Sequence, residues 1–437
     1  MTEFGGASSP MVFSSGNSIG SDSALRGPFA CGSVTRVGAA AALTALCGYA
    51  VIYLAARDLA PTGFSVFGVF WGAFGLFTGA ANGLLQETTR EVRATGYVVN
   101  DLAAIPGRPT RPLRFAGMVG LAATIVIAGS SPVWSGRTFA EARWFSVALL
   151  SVGLCGFCLQ ATLLGMLAGT NRWSHYGSLM VTDAAIRVAI ATATFVIGWG
   201  LIGFLWSTVA GAAAWLITLL ISPTARATAR LHTLCGTATF LRGAAYSITA
   251  AGASAILVMG FPVLLKLTSN ELGAQGGVVI LAVTLTRAPL LVPLTAMQGN
   301  LIAHFVDERC NRLRSVLVPA AIIGGIGAVG VLAAGVVGPW LLRVGFGPQY
   351  DASRTLLAWL AAAAVEIAML TLTGTATVAA ALHRAYSLGW VCATAASASL
   401  LLLPLQLETR TVIALLCGPL VGISVHLAAL ARTGHLA

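Results

Sequence analysis

The chain has 437 residues, of which 57% are hydrophobic and only 9% are charged, and its mean hydropathy is +0.86. Soluble domains carry about 25% charged residues. A chain this long and this apolar cannot bury its side chains in one aqueous core, so it is predicted to be a polytopic membrane protein. The net charge of +11 comes from arginines between apolar runs. This placement favours contact with membrane lipids and argues against nucleic acid as a partner.

Residues 1–32 are rich in Ser and Gly. They lack the early basic segment and short apolar run of a signal peptide, and we predict a disordered cytoplasmic tail.

Apolar runs of about 20 residues, the length that crosses a membrane as a helix, fill the rest of the chain. They show no alternation with a period of two, which argues against strands. The runs predict an all-α bundle of about 12 transmembrane helices. Their centres lie near Ala45, Gly75, Ala122, Cys155, Ala191, Gly211, Ser254, Val283, Gly325, Val365, Ala395 and Leu420.

Loop charges predict the orientation of the bundle. Most of the 25 Lys and Arg residues fall in loops that are cytoplasmic if the N-terminus is inside. The opposite side holds Arg57, Arg137, Arg143, Lys266, Arg343, Arg354 and Arg410. Cytoplasmic loops carry the excess of basic residues in membrane proteins. We therefore expect both termini and the Arg226–Arg242 loop in the cytoplasm.

A short motif recurs in the two halves of the chain. DLAPTG at 58–63 and ELGAQG at 271–276 both read acid-Leu-small-x-x-Gly, at an offset of 213 residues. Each motif stands between two apolar runs. Six spans in each half would form parallel repeats, with a substrate site between the lobes. The predicted division is an N-lobe at 33–222, a cytoplasmic linker at 223–242 and a C-lobe at 243–437.

Four stretches carry a resemblance to a known family. They are ARDLAPTGFSVFGVFWGAF with the following ANGLLQETTREVRA, LLGMLAGTNRWSHYGSLMVTDAAIRVAIA, VVILAVTLTRAPLLVPLTAMQGNLIAHF, and GPWLLRVGFGPQYDASRTLLAWLAAAA. In this order they resemble the polysaccharide transporter branch, the O-antigen flippase-like proteins, of the multidrug/oligosaccharidyl-lipid/polysaccharide exporter superfamily.

The resemblance implies a V-shaped, two-lobe, alternating-access transporter in a bacterial plasma membrane. Its substrate would be a glycan linked to polyprenyl pyrophosphate, moved from the inner to the outer leaflet. Such a transporter would need no cofactor and would have no catalytic residues. Glycan polymerases or glycosyltransferases are the expected protein partners. Within this family, Arg187 falls on an arginine of the fifth helix.

Asp183 and Arg187 stand four residues apart inside an apolar run, so they share one helix face and can pair. Two interpretations remain open: a structural ion pair within the first lobe, or substrate-binding residues on the cavity wall. Charges within a span are costly unless they are paired or face water.

Arg287 lies in the middle of the eighth predicted span, ahead of Pro289 and Pro293, and no acid stands three or four residues away. A forked guanidinium suits a pyrophosphate head group. The alternative is a structural bridge to Glu366, which lies inside the tenth span. Glu366 is in turn a candidate for ion or proton coupling, or a neutral structural acid.

Other chemistry receives little support. Cys155 and Cys158 have CxxC spacing but lie in an apolar run without a histidine cluster, which is typical of packing residues and predicts no metal site. No phosphate-binding Gly-x-x-x-x-Gly-Lys motif occurs. The main competing function is a drug or cation exporter of the same superfamily. A membrane glycosyltransferase or glycan ligase is a less favoured alternative, because the outer loops are short.

Overall fold

A computed structural model of the chain describes residues 31–98, 110–139, 142–233, 236–307, 312–380 and 382–434. Within these ranges the regular structure is helical, and the only β-type pairing is one antiparallel bridge between Thr110 and Thr233. The predicted tail at 1–32 falls almost entirely outside the described residues. The predicted all-α class is confirmed.

The helices follow one another with short connections. In chain order they are α1 (Cys31–Val98), α2 (Pro112–Thr138), α3 (Arg143–Gly169), α4 (Trp173–Ile197), α5 (Gly200–Ala210), α6 (Ala214–Ile221), α7 (Pro223–Ala229), α8 (Thr237–Val258), α9 (Phe261–Leu267), α10 (Gly273–Asp307), α11 (Arg312–Phe346), α12 (Arg354–Ala379), α13 (His383–Leu401) and α14 (Leu407–Gly434). A 3-10 turn, Gly211–Ala213, joins α5 to α6.

Ten helical segments of the described chain are long and apolar enough to cross a membrane. One of them, Arg36–Thr95, has 60 residues, about 90 Å of helix and enough for two crossings. It is interrupted by non-helical backbone at Ala60 (φ 52°, ψ 173°), just before Pro61. α13 has 19 residues and is also of crossing length, although it is more polar. The described helices therefore provide the twelve predicted crossings.

Similar pairs of packed helices occur in the first and second halves of the chain. In the first half α2 packs on α3, and α4 packs on α5; in the second, α11 packs on α12, and α13 packs on α14. The division into lobes at 33–222 and 243–437 stays a prediction. Within the predicted linker, the structure forms the short helix α7 and begins α8 at Thr237.

The two halves meet along α1 and α8. The part of α1 that follows Ala60 runs beside α8, and glycines allow the backbones to approach closely. A Cβ atom at Gly79 would lie 2.6 Å from the Cβ of Ala255, and one at Gly83 would overlap the backbone of Ile248. Because no side chain fits at these positions, small residues set the distance between the halves.

A second contact between the halves lies at the face that the loop charges predict to be extracellular, called here the predicted outer face. Tyr350 precedes α12 and is fully buried, and its hydroxyl donates a hydrogen bond to the carbonyl oxygen of Ala56 at 2.9 Å. Its ring packs edge-on against Phe64, with 6.2 Å between centroids. Burial raises the pKa of the Tyr350 phenol, so the hydroxyl keeps its proton and remains a donor.

Candidate functional site

Asp183 and Arg187 form the predicted ion pair on α4. Arg187 Nε donates to Asp183 Oδ1 at 2.8 Å, and each side chain is only 14% exposed. The spacing of four residues places both side chains on one helix face, as expected. Because both charges are largely withdrawn from solvent, each depends on the other for compensation.

Neighbouring elements hold the same pair from two further sides. Arg187 Nη1 donates to the carbonyl oxygen of Thr208 on α5, and the guanidinium carbon lies 5.4 Å from the centre of the Phe74 ring on α1. Gly211 faces the pair so closely that a Cβ there would overlap the carboxylate. The pair therefore fixes how α1, α4 and α5 pack in the first half.

The helical path of the seventh predicted span is interrupted between α8 and α9. The residues at the break are Met259 and Gly260, and Pro262 follows in the first turn of α9. A helix would require the residue at 262 to donate to the Val258 carbonyl, but proline has no N–H. The last carbonyl groups of α8 are thus left without backbone donors, as at any helix C-terminus.

Arg287 supplies the missing donor. It lies on α10, is 7% exposed, and its Nη1 donates to the carbonyl oxygens of Val258 at 3.0 Å and Leu257 at 3.4 Å. The negative end of the α8 dipole stabilises a cation at this position. Part of the charge of Arg287 is therefore compensated by a helix end rather than by an acid, and α10 itself continues as one helix.

The other terminal nitrogen of Arg287 is not used. Nη2 is buried and has no hydrogen-bond partner. The guanidinium carbon lies 5.3 Å from the centre of the Phe261 ring, and Tyr49 of α1 is near enough for an electrostatic interaction. In the described part of the chain no carboxylate forms an ion pair with Arg287, so the alternative bridge to Glu366 is not present.

Glu366 lies on α12 and is partly exposed. Among the described residues it has neither an ion pair nor a side-chain hydrogen bond. Its candidate role in ion or proton coupling stays a prediction. Cys155 and Cys158 are free thiols on α3, and Cys158 is buried.

The predicted repeat does not relate the two arginines to each other. The offset of 213 residues maps Arg287 to Phe74 and Arg187 to Leu400. Phe74 is nevertheless the ring beside which Arg187 lies.

Sequence reasoning missed two features. The helix break could have been found from the segment Gly260-Phe261-Pro262, where a glycine and a proline interrupt an apolar run. No sequence pattern indicates the buried polar cluster around His426, because its members lie on α12, α13 and α14 and come together only in the folded protein.

No protein-family model matches the chain. The chain is 75% identical over 433 residues to Uncharacterized protein Rv3630 of Mycobacterium tuberculosis (strain ATCC 25618 / H37Rv), with 99% of this chain and 98% of that protein covered. The chain belongs to this mycobacterial family. Uncharacterized protein Rv1510 of the same strain is 69% identical over 414 residues, and 95% of each chain is covered. The family therefore has at least two members in that strain.

Solved structures share the fold. An inward-facing multidrug resistance MATE family transporter of the MOP superfamily aligns with a TM-score of 0.70 at 14% identity, covering 89% of this chain and 95% of that one. An outward-facing one aligns with a TM-score of 0.59 at 15% identity, covering 92% and 96%. A MOP superfamily transporter from Pyrococcus furiosus, whose binding pocket has a reversed polarity that suggests a different function, aligns with a TM-score of 0.59 at 12% identity, covering 91% and 95%. The family thus has the MOP transporter fold.

Proposed function

We propose that the protein is a flippase that moves a polyprenyl-pyrophosphate-linked glycan from the inner to the outer leaflet of a bacterial plasma membrane. Glycosyltransferases would supply this cargo and a glycan polymerase would consume it, and no bond is made or broken in the flippase itself. The shared MOP fold supports a transporter. The choice of an anionic lipid-linked cargo rests on the residues within the membrane.

The observation that carries the proposal is the free arm of Arg287. One terminal nitrogen caps α8, while the other is buried without a partner. A buried donor of a charged group that lacks an acceptor costs free energy, about 1–3 kcal/mol or more. A phosphate oxygen would satisfy this donor and neutralise the remaining charge. A cationic drug would neither accept this hydrogen bond nor neutralise the charge of Arg287.

The second guanidinium adds to the argument. Arg187 provides a second guanidinium inside the first half, and a pyrophosphate carries two phosphates that a pair of cations could hold. Arg187 is already paired with Asp183, so its net contribution is smaller. We therefore assign the leading role to Arg287, with Arg187 and Asp183 as a pre-oriented second contact.

Transport would proceed by alternating access. The hydrogen bond from Tyr350 to Ala56 joins the halves at the predicted outer face. The fold is closer to an inward-facing than to an outward-facing neighbour, with TM-scores of 0.70 and 0.59. Both observations support a conformation that admits cargo from the cytoplasmic leaflet.

A drug or cation exporter is the second candidate, and one observation favours it. Glu366 is partly exposed within its span and has no cationic partner among the described residues. A carboxylate of this kind could receive a cation or a coupling ion. Against it, the carboxylate of Asp183 is neutralised by Arg187, and Arg287 would repel a cationic cargo.

The decisive experiment is depletion of the protein, followed by profiling of the lipid-linked saccharides and of their accessibility to a membrane-impermeant glycan-modifying reagent. We expect the lipid-linked pool to rise and its outward-accessible fraction to fall. An unchanged lipid-linked pool together with new drug sensitivity would contradict the flippase function and support the drug or cation exporter. Shorter lipid-linked glycans with an unchanged distribution between the leaflets would indicate a membrane glycosyltransferase or glycan ligase.

Variants of Arg287 test the site itself. Arg287→Lys keeps a positive charge and one donor for the Val258 carbonyl but loses the second arm of the fork. We expect correct insertion and about tenfold slower export, since a lost charged hydrogen bond is worth about 1.5–3 kcal/mol. Arg384→Ala is the control, because Arg384 is exposed in the first turn of α13, at the predicted cytoplasmic side. Full export by correctly inserted Arg287→Ala would refute the head-group role.

A further inference from the structure

A cavity of about 480 Å³ lies between the end of α11 and the beginning of α12, at the predicted outer face. Val336, Trp340 and Arg343 of α11 line one side, and Asp351 and Arg354 line the other. Sites for small ligands have volumes of about 300–1,000 Å³. None of the residues assigned above to the cargo lines this cavity, so it is a separate place in the molecule.

The α12 side of the cavity carries a net positive charge. Arg343 Nη2 lies 2.6 Å from Asp351 Oδ1, and the two side chains are 56% and 64% exposed. Arg354 is exposed, and in the described part of the chain no carboxylate forms an ion pair with it. Two guanidinium groups and one carboxylate leave one positive charge. Because exposed ion pairs are weak, Arg343 can also turn towards an anionic ligand.

The α11 side of the cavity continues into a surface that faces lipid. Leu332, Val336 and Trp340 follow one another at a spacing of four residues and are 70%, 70% and 60% exposed. Large exposed apolar side chains extend along α11 from Val318 to Val344, which is about 39 Å of helix. The hydrocarbon core of a bilayer is about 30 Å thick. The cavity, near the end of this apolar surface, therefore opens at the level of the lipid head groups.

These parts match the parts of one phospholipid molecule. An acyl chain fits along Leu332 and Val336, and tryptophan is the residue that favours the boundary where Trp340 stands. Above this boundary, Arg343 and Arg354 offer forked donors that suit a phosphate. A soluble anion would make no use of the apolar stripe. A zwitterionic head group would bring an ammonium group to a cavity that is already cationic, and a lipid-linked pyrophosphate carries more negative charge than one net cation balances.

We propose that this cavity binds an anionic phospholipid from the leaflet at the predicted outer face. Arg354 and Arg343 hold its phosphate, and the stripe from Leu332 to Trp340 carries one of its acyl chains. The proposal does not depend on the nature of the cargo, so it stands or falls separately from the flippase function.

Native mass spectrometry of the full-length protein tests the proposal. Micelles receive equal amounts of phosphatidylglycerol and phosphatidylcholine with the same acyl chains. Wild type should retain phosphatidylglycerol in preference, and Arg354→Ala should retain about fivefold less of it, the factor for about 1 kcal/mol per arginine at an anionic lipid surface. Arg137→Ala, at an exposed arginine that ends α2 at the same predicted face, should retain as much as wild type.

Equal retention of phosphatidylglycerol by Arg354→Ala and wild type would overturn the proposal, as would equal retention of the two lipids by wild type. Arg354 is exposed, so its removal leaves the packing of the bundle intact.

Two competitors distinguish the lipid from other sources of phosphate. Glycerol 3-phosphate has the phosphate but no acyl chain, and a polyprenyl pyrophosphate has the chemistry of the proposed cargo. At concentrations equal to that of phosphatidylglycerol, neither should displace it from wild type. Displacement by glycerol 3-phosphate would replace the lipid with a soluble anion, and displacement by the polyprenyl pyrophosphate would make the cavity a cargo site. Either result would overturn the proposal.

Discussion

Removal of Asp183 alone should cost most of the unfolding free energy that removal of the complete ion pair costs. In Asp183→Ala, Arg187 stays charged at 14% exposure with only the Thr208 carbonyl and the Phe74 ring beside it. Breaking a buried pair costs about 3–5 kcal/mol, and the two remaining contacts place this variant near the lower end, at about 3 kcal/mol. Arg187→Ala leaves an unpaired buried carboxyl and should cost a similar amount.

The double variant should then cost about 4 kcal/mol rather than the sum, which corresponds to a coupling free energy of about 2 kcal/mol. The assay is the free energy of unfolding in mixed micelles for the four proteins of the cycle. The exposed pair Arg343–Asp351, with 2.6 Å between Nη2 and Oδ1 and side chains 56% and 64% exposed, is the matched control. Its coupling should not exceed about 0.5 kcal/mol. Strict additivity at Asp183 and Arg187 would refute the reasoning.

Three further predictions follow from the same structure. Gly211→Ala should cost about 1–3 kcal/mol of unfolding free energy, because its methyl group would displace the ion pair. Gly325→Ala is the control and should be neutral, because a Cβ at Gly325 has no atom within 4 Å. Equal losses of unfolding free energy in the two variants would contradict this account. Tyr350→Phe removes the hydrogen bond to Ala56 and about 1 kcal/mol, so cysteine labelling at the predicted outer face should increase. After correction for the thiolate fraction of the labelled cysteine, labelling of the protein that keeps Tyr350 should stay constant from pH 6 to 9, since the raised phenol pKa keeps the proton on Tyr350 throughout this range. A reporter fused after residue 235 should read as cytoplasmic, and an external signal would exclude the predicted orientation.

The crossings were predictable because their signal is local. Each is a run of apolar residues whose length matches the bilayer, and lipid leaves the backbone no alternative to a helix. The Asp183–Arg187 pair was predictable for the same reason, since a spacing of four residues on one helix fixes the geometry. The structure added the contacts with Thr208 and Gly211, which come from other helices.

The partner of Arg287 was not predictable from charge alone. The sequence contains no nearby acid, and the search for one led to Glu366. The actual partners are backbone carbonyl groups of Leu257 and Val258, and every residue type carries such a group. Only the combination of a proline on one span and an arginine on another indicates this contact, and a single sequence does not show which spans are neighbours.

Arg187, His426 and Arg287 differ in how many of their polar atoms have partners inside the protein. The fewer partners a group has, the more a ligand can stabilise it. Arg187 has an acid, a carbonyl group and an aromatic ring, so a ligand adds little to it. His426 has a hydrogen-bond partner at each ring nitrogen, so its bonding is complete. Arg287 has one arm held by a helix end and one with no partner. A ligand shifts a conformational equilibrium only by its differential affinity for the two states. Of these three groups, the one whose bonding is incomplete when no cargo is bound is the one that cargo can stabilise most, and that group is Arg287.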